Sequence, residues 1–301
     1  MHWLISRRRV AAAVCVVLWA ATAVHADPNS LVVSTAEAPA RVWAPFSTHQ
    51  RLRPDLEEVP LEEIAGPHRE RVLQILRRPV AAYRGPREMF PCHPELLEWL
   101  IRHPVAVGDY WKQMGMTLAE VDAAPGGFVC RDDFGAVVHF FPVLEKPNLR
   151  VVYCVGESPA GVLPVKMRAE MVVVHRYRFE QYDGAGDYVV QQLDGYASAS
   201  GVTLKMAMKF APVQAEHMVE TCVQEIKVFF SVMSRLMQLR PQWSLEKLPA
   251  VAQKLSEPEA EELERLLRSL PAGRRPAPEV RRLEAPVVGE VASDPSGDLF
   301  E

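Results

Sequence analysis

The sequence predicts an α+β domain in which an antiparallel β-meander grips a long amphipathic helix, with extra helices at its N- and C-terminal ends. Two observations carry this prediction. Between residues 127 and 210, apolar residues recur at alternate positions, the period of a strand with one buried face. From Pro212 to Leu239 they recur at intervals of three and four, the period of an α-helix.

The composition is that of a globular protein. Of the 301 residues, 49% are apolar and 24% are charged, which excludes a wholly disordered, collagenous or polytopic membrane chain. The formal net charge of −4 does not suggest a general nucleic-acid binder. We therefore expect no nucleic-acid partner.

Residues 1–26 have the organisation of a cleaved secretory signal. Arg7, Arg8 and Arg9 precede an apolar run over residues 10–24, and a cleavage site follows at Ala26. The run would span about 22 Å as a helix, less than the ~30 Å of the hydrocarbon core of a bilayer. We therefore expect a periplasmic or secreted protein, exported by the general or the twin-arginine route.

The remaining chain is expected to have four parts. Residues 27–60 form an irregular, proline-rich lead-in, and residues 61–240 form a single α+β domain. Residues 241–270 form a short helical extension, and residues 271–301 form a disordered tail. Before the sheet, helices are expected over Leu61–Arg78, from Pro94 to Pro104, and over Val105–Met114.

Short turns separate the expected strands, which are Phe128–Arg131, Ala136–Leu144, Arg150–Gly156, Val162–Met167, Glu170–Gln181, Asp187–Ala197 and Val202–Phe210. Such short connections join neighbouring strands, which predicts an antiparallel meander. In the strand 170–181 the charged residues share one face, so we expect one wet and one dry side of the sheet. Arg168, Arg176 and Arg178 alternate with Glu170 and Glu180, which indicates a charge-paired outer face; an anion site at the sheet rim is the alternative.

The helix Pro212–Leu239 is expected to cover the dry side. Its apolar face carries Val219, Cys222, Val223, Ile226, Phe229, Phe230, Met233, Leu236 and Met237, with Glu225 among the polar residues opposite. Pro241 is expected to end this helix. Further on, Ser256 and Glu259 form a capping box, followed by an amphipathic face of Leu263, Leu266, Leu267 and Leu270.

Cysteine and histidine spacing gives no metal signature. Besides Cys15 in the signal segment, the chain has Cys92, Cys130, Cys154 and Cys222, without a CxxC pair. In an oxidising compartment these four permit three disulfide pairings, and they are equally consistent with buried free thiols. The histidines form no HExxH motif, and we expect neither a metal nor another cofactor.

The order of elements resembles the START-like superfamily of polyketide cyclases and lipid-transfer proteins. The resemblance covers about Pro94 to Leu239, roughly half the chain, with a helix pair, the strands and one long helix. It implies a helix-grip fold with an apolar cavity that holds a lipid-like or aromatic ligand. The family places a strand before its first helices, and Val80–Tyr83 or Glu88–Phe90 would serve. A lipoprotein-carrier-like half barrel and an α+β domain with a filled core are alternatives.

The candidate ligand-binding residues are His175, Tyr177, Met206, Met208, Phe230 and Met233. His175 and Tyr177 share an apolar strand face, where they would hydrogen-bond a ligand head group. Methionine thioethers suit varied apolar ligands. Each of these residues also has a structural interpretation as part of a filled core.

The favoured interpretation is an exported, non-enzymatic binding protein for a hydrophobic or lipid-like small molecule. One alternative is an envelope scaffold protein whose C-terminal leucines dock onto a partner, with a peripheral contact to the membrane or to an envelope protein. Another is a cyclase- or hydrolase-like enzyme that uses His175 and Tyr177 as an acid–base pair.

Overall fold

The structure is a computed structural model that describes Leu56 and residues 59–117, 119–133, 135–160, 163–182, 186–199, 212–270 and 281–282. Within these residues it consists of six α-helices and an open antiparallel sheet, so the predicted α+β class is confirmed. The signal segment, most of the lead-in, the expected strand Val202–Phe210 with Met206 and Met208, and nearly all of the C-terminal tail lie outside the described residues.

The helices are α1 (Arg69–Arg77), α2 (Pro94–Arg102), α3 (Pro104–Gln113), α4 (Pro212–Leu239), α5 (Pro241–Val251) and α6 (Glu257–Ser269). The strands are β1 (Ala81–Arg84), β2 (Glu88–Pro91), β3 (Glu120–Ala124), β4 (Gly127–Arg131), β5 (Val137–Lys146), β6 (Leu149–Ala160), β7 (Leu163–Tyr182), β8 (Gly186–Ala199) and β9 (Arg281–Arg282).

Strands β3 to β8 form a meander in which each pairs antiparallel with the next; β4 to β8 fall in predicted strands, and β3 was not predicted. Strands β1 and β2 lie one after the other along the free side of β8, and β9 pairs with β2. Gly85 connects β1 to β2 where a Cβ atom would lie 2.3 Å from the carbonyl oxygen of Leu193. Only glycine permits so close an approach of the two backbones.

The largest differences from the predicted bounds concern α1 and β7. Helix α1 begins at Arg69 instead of Leu61, because Gly66, with φ 85°, and Pro67 interrupt the helical pattern. The two strands predicted between residues 162 and 181 are one continuous strand, β7. Pro241 ends α4 as predicted, but it also occupies the first turn of α5, where its missing N–H costs nothing.

Both faces of the central sheet are covered, so the expectation of one wet face was wrong. Helix α4 covers one face, and α1 with the chain before it covers the other. Val172 and Val174, which share the second face with the charged residues of β7, are 0% exposed. The charges remain at the two ends of that face, where Glu170 pairs with Arg71 of α1 and Arg176 pairs with Asp194.

Helix α4 belongs to two apolar cores. Its first half packs on the sheet through Val219 and Val223. A Cβ atom at Gly195 of β8 would lie 2.6 Å from Val223 Cγ2 and 2.7 Å from Val219 Cγ1, so the helix lies directly on the strand backbone. Its second half buries Met233 and Met237 among the other helices.

Helices α2, α3, α5 and α6 pack around the second half of α4. Trp99, Leu100 and Tyr110 of α2 and α3 share a core with Leu263, Leu266 and Leu267 of α6 and with Leu270, which follows α6. The predicted capping box is present, since the Ser256 N–H donates to Glu259 Oε2 at 2.8 Å. Residues 241–270 are therefore part of the core, and these leucines are not available as the docking face that the scaffold hypothesis required.

We expect Leu263→Ala to lower the free energy of unfolding by about 2–5 kcal/mol, because it leaves a cavity in the helical core. Leu239→Ala, at an exposed position at the end of α4, should change it by less than about 0.5 kcal/mol. Urea denaturation of both variants measures the difference. Equal effects would contradict the assignment of α6 to the core.

Candidate functional site

A small group of buried polar side chains lies on the face of the sheet that α4 covers. His175 of β7 is 7% exposed, and its Nε2 lies 3.1 Å from Oε1 of Gln191 on β8. Since Gln191 Oε1 is an acceptor, we assign the imidazole proton to Nε2. The rings of His175 and Tyr177 are neighbours on the same face, with centroids 4.9 Å apart.

The imidazole of His175 is neutral at neutral pH. Its pKa is lowered to about 4, chiefly by burial; the Gln191 hydrogen bond raises the pKa and the nearby Arg150 lowers it. A general base works best with a pKa near the operating pH, and the partner of His175 here is a neutral amide. The geometry therefore favours hydrogen bonding over proton transfer for this residue.

The structure brings together three of the six predicted site residues. Tyr177 is buried in an apolar cluster with Phe90, Leu97 and Val189, and Phe230 of α4 packs against that cluster. Met233 lies instead in the core between the helices. His175, Tyr177 and Phe230 thus share one region where the sheet meets α4.

Further aromatic side chains lie on the α4-facing side of the sheet and on α4 itself. On the sheet, Phe128 and Phe140 stack with centroids 4.6 Å apart. On α4, Phe229 and Phe230 meet edge to face at 5.0 Å, and the indole N–H of Trp111 donates to the carbonyl oxygen of Phe229 at 3.0 Å. All four phenylalanines are half-buried. The sequence placed Phe229 and Phe230 on the apolar face of α4, whereas Phe128 and Phe140 were predicted only as members of two strands.

Glu225 was placed by the sequence on the polar side of α4, which was wrong. Its Oε2 atom is buried and has no hydrogen-bond partner in the described part of the chain. Burial raises the pKa of this carboxyl to about 8, so it is mostly protonated at neutral pH. On the helix it lies between Cys222 and Phe229, three residues after one and four before the other.

The sequence left open whether the four cysteines after the signal segment form disulfides or are buried free thiols, and the structure shows free thiols. Cys92, Cys130, Cys154 and Cys222 are all free, and all except Cys130 are buried. Burial raises the pKa of Cys92 to about 12, so its thiol stays protonated and behaves as an apolar core group. Across the described ranges no three His, Cys, Asp or Glu side chains are grouped to hold a metal.

Comparisons with known proteins do not place the chain in a family: no family model matches the sequence, and no curated protein matches it. Among the helices that the structure describes, none combines the length and the apolarity needed to cross a bilayer.

We expect the stability of the protein to fall between pH 6.5 and pH 4 partly because of His175. The unfolded imidazole titrates near 6.5 and the folded one near 4, so in this interval the unfolded state binds the extra proton. The stabilisation is complete above pH 6.5 and is lost as the pH falls, by on the order of 3 kcal/mol.

Chemical denaturation at several pH values measures this effect. His175→Gln should flatten the pH dependence in this interval, whereas His217→Gln, at an exposed site on α4, should not. Identical slopes for the wild type and His175→Gln would show that the buried imidazole does not titrate as argued.

Proposed function

We propose that the chain is an exported binding protein for a hydrophobic or lipid-like small molecule, held between the sheet and helix α4 in a helix-grip-like arrangement. One observation carries the proposal: large apolar side chains on the α4-facing side of the sheet and on α4 itself are only half-buried. These side chains are Phe128, Phe140, Val152, Ile226, Phe229 and Phe230.

In a filled core these side chains would be fully buried. Phe140, Val152 and Ile226 pack against the cluster between the sheet and α4, yet each keeps part of its surface exposed. Complete burial of one such side chain is worth roughly 1.5–3 kcal/mol. A ligand that covers this surface would gain part of that free energy.

Neutral polar groups on the sheet and on α4 suit the polar end of an amphipathic ligand. His175 is uncharged, and Glu225 is protonated with an oxygen that lacks a partner among the residues described. Apolar pockets with a few polar groups bind small molecules in a defined orientation. We expect the ligand to carry an uncharged hydroxyl or carbonyl group.

The arrangement of elements supports the proposed helix grip. Strands β1 and β2 precede α2, as the START-like order of elements requires, and the first half of α4 packs on the sheet. The resemblance itself remains one of element order. Export rests on the signal-like residues 1–26, with Arg7 to Arg9 before the apolar run.

Native mass spectrometry of the protein, expressed with its leader and purified from the cell envelope without detergent, tests both parts of the proposal. We expect a chain that begins at Asp27 and carries an additional mass from an apolar compound. A chain with residues 1–26 intact would contradict export. Preparations that are consistently empty, and that fail to bind the neutral probe N-phenyl-1-naphthylamine, would contradict the carrier function.

Two variants of α4 locate the binding site. Ile226→Gln removes apolar surface that faces the sheet, and we expect it to weaken binding of the naphthylamine probe at least about tenfold. Val228→Gln makes a similar change at an exposed position of the same helix and should leave binding unchanged. Equal effects of both variants would place the probe elsewhere.

A further inference from the structure

The outer face of helix α4, which points away from the sheet, carries exposed apolar side chains. Five large apolar residues are exposed in the described part of the chain, and three of them are Val228, Val232 and Leu239. These three follow one another at intervals of four and seven residues, so they share one side of the helix. Val219, which packs on the sheet, lies on the opposite side.

A shallow groove continues this apolar stripe toward α3 and α5. It has a volume of about 380 Å³. Its lining residues are Gln113, Met114, Leu236, Arg240, Trp243 and Lys247. Leu236 comes four residues after Val232 and three before Leu239, so its side chain lies next to theirs on the helix. The stripe and the groove lining therefore form one surface, which we call the α4 patch.

Cations without acidic partners border the α4 patch. Arg235 lies between Val232 and Leu239, three residues after the first and four before the second, and Arg240 and Lys247 line the groove. Among the described residues none of these three cations forms an ion pair, whereas Lys227 earlier on α4 pairs with a glutamate at 2.9 Å.

The chain around the patch is poor in acids, although the whole chain has a formal charge of −4. Residues 228–251, which cover the second half of α4 and all of α5, contain the three cations and a single acid, Glu246. Glu246 is exposed and does not line the groove. Asp109 of α3 and Glu120 of β3 pair with lysines, at 3.2 Å and 3.0 Å. The patch therefore keeps an excess of positive charge, which attracts an anionic surface.

From these observations we infer that the α4 patch docks the protein on the surface of an anionic lipid bilayer. The three exposed apolar side chains enter the boundary between head groups and acyl chains, where the apolar face of a helix gains free energy. The three cations lie at the level of the lipid phosphates, and the indole ring of Trp243 suits the same level. This surface does not depend on the proposed carrier function.

A bilayer fits the patch better than a second protein does. A typical protein–protein interface has about 20–30 residues on each side. The patch has ten, counting three exposed apolar residues, six residues of the groove lining, and Arg235. A second copy in a two-fold contact would also bring the same three cations against one another, and such contacts between like charges are unfavourable.

Co-sedimentation with lipid vesicles tests the inference. Residues 27–301 contain every described element, and their use removes the apolar leader, which would bind lipid by itself. We expect binding to vesicles of equal parts phosphatidylglycerol and phosphatidylcholine, weaker binding at high ionic strength, and little binding to pure phosphatidylcholine.

Two double variants test the charged and the apolar parts of the patch. Arg240→Gln with Lys247→Gln removes two cations, and Val232→Gln with Leu239→Gln replaces two exposed apolar side chains. We expect each double variant to weaken binding to the mixed vesicles by at least about tenfold. Because all four side chains reach the surface, the midpoint of urea denaturation should not change.

Matched controls separate the patch from the general surface of the protein. Arg69→Gln with Arg77→Gln makes the same charge change at exposed positions of α1, which covers the other face of the sheet. Val213→Gln replaces an exposed valine at the start of α4. Both should leave vesicle binding unchanged.

Three results would overturn the inference. The first is a failure to bind the mixed vesicles, and the second is an equal loss of binding in the patch variants and the controls. The third is a dimer in sedimentation velocity that dissociates when Val232 and Leu239 are replaced, because the patch would then be an interface between copies of the chain.

Discussion

The close packing of α4 on the backbone of β8 is the constraint on which the rest of the structure depends. Gly195 has no side chain, so Val219 and Val223 of the helix occupy the space where its Cβ atom would be. This contact fixes the height of the helix over the sheet. The same helix then continues beyond the sheet and buries Met233 and Met237 among the other helices. One helix therefore contributes to both the core on the sheet and the core between the helices.

Local signals made much of this fold predictable. The period of the apolar residues gave the bounds of α4, Pro212 to Leu239, and Ser256 with Glu259 marked the start of α6. Both signals act between residues that are close in sequence. The burial of Val172 and Val174 could not be predicted in this way, because it depends on α1, which lies about a hundred residues earlier in the chain.

The candidate sites were less predictable for the same reason. His175 and Tyr177 were found because they alternate along one strand, and the structure places them beside Phe230. Glu225 looks like any solvated acid of an amphipathic helix, and only the fold shows that one of its oxygens is buried.

A double-mutant cycle at the contact between β8 and α4 tests the central claim most directly. Gly195→Ala should cost about 1–3 kcal/mol in the wild-type background, because its Cβ atom would overlap both valines. With Val219 and Val223 both replaced by alanine, the cost should fall by at least about 1 kcal/mol. Additive effects, within about 0.5 kcal/mol, would contradict the account, because they would mean that α4 does not lie on this strand.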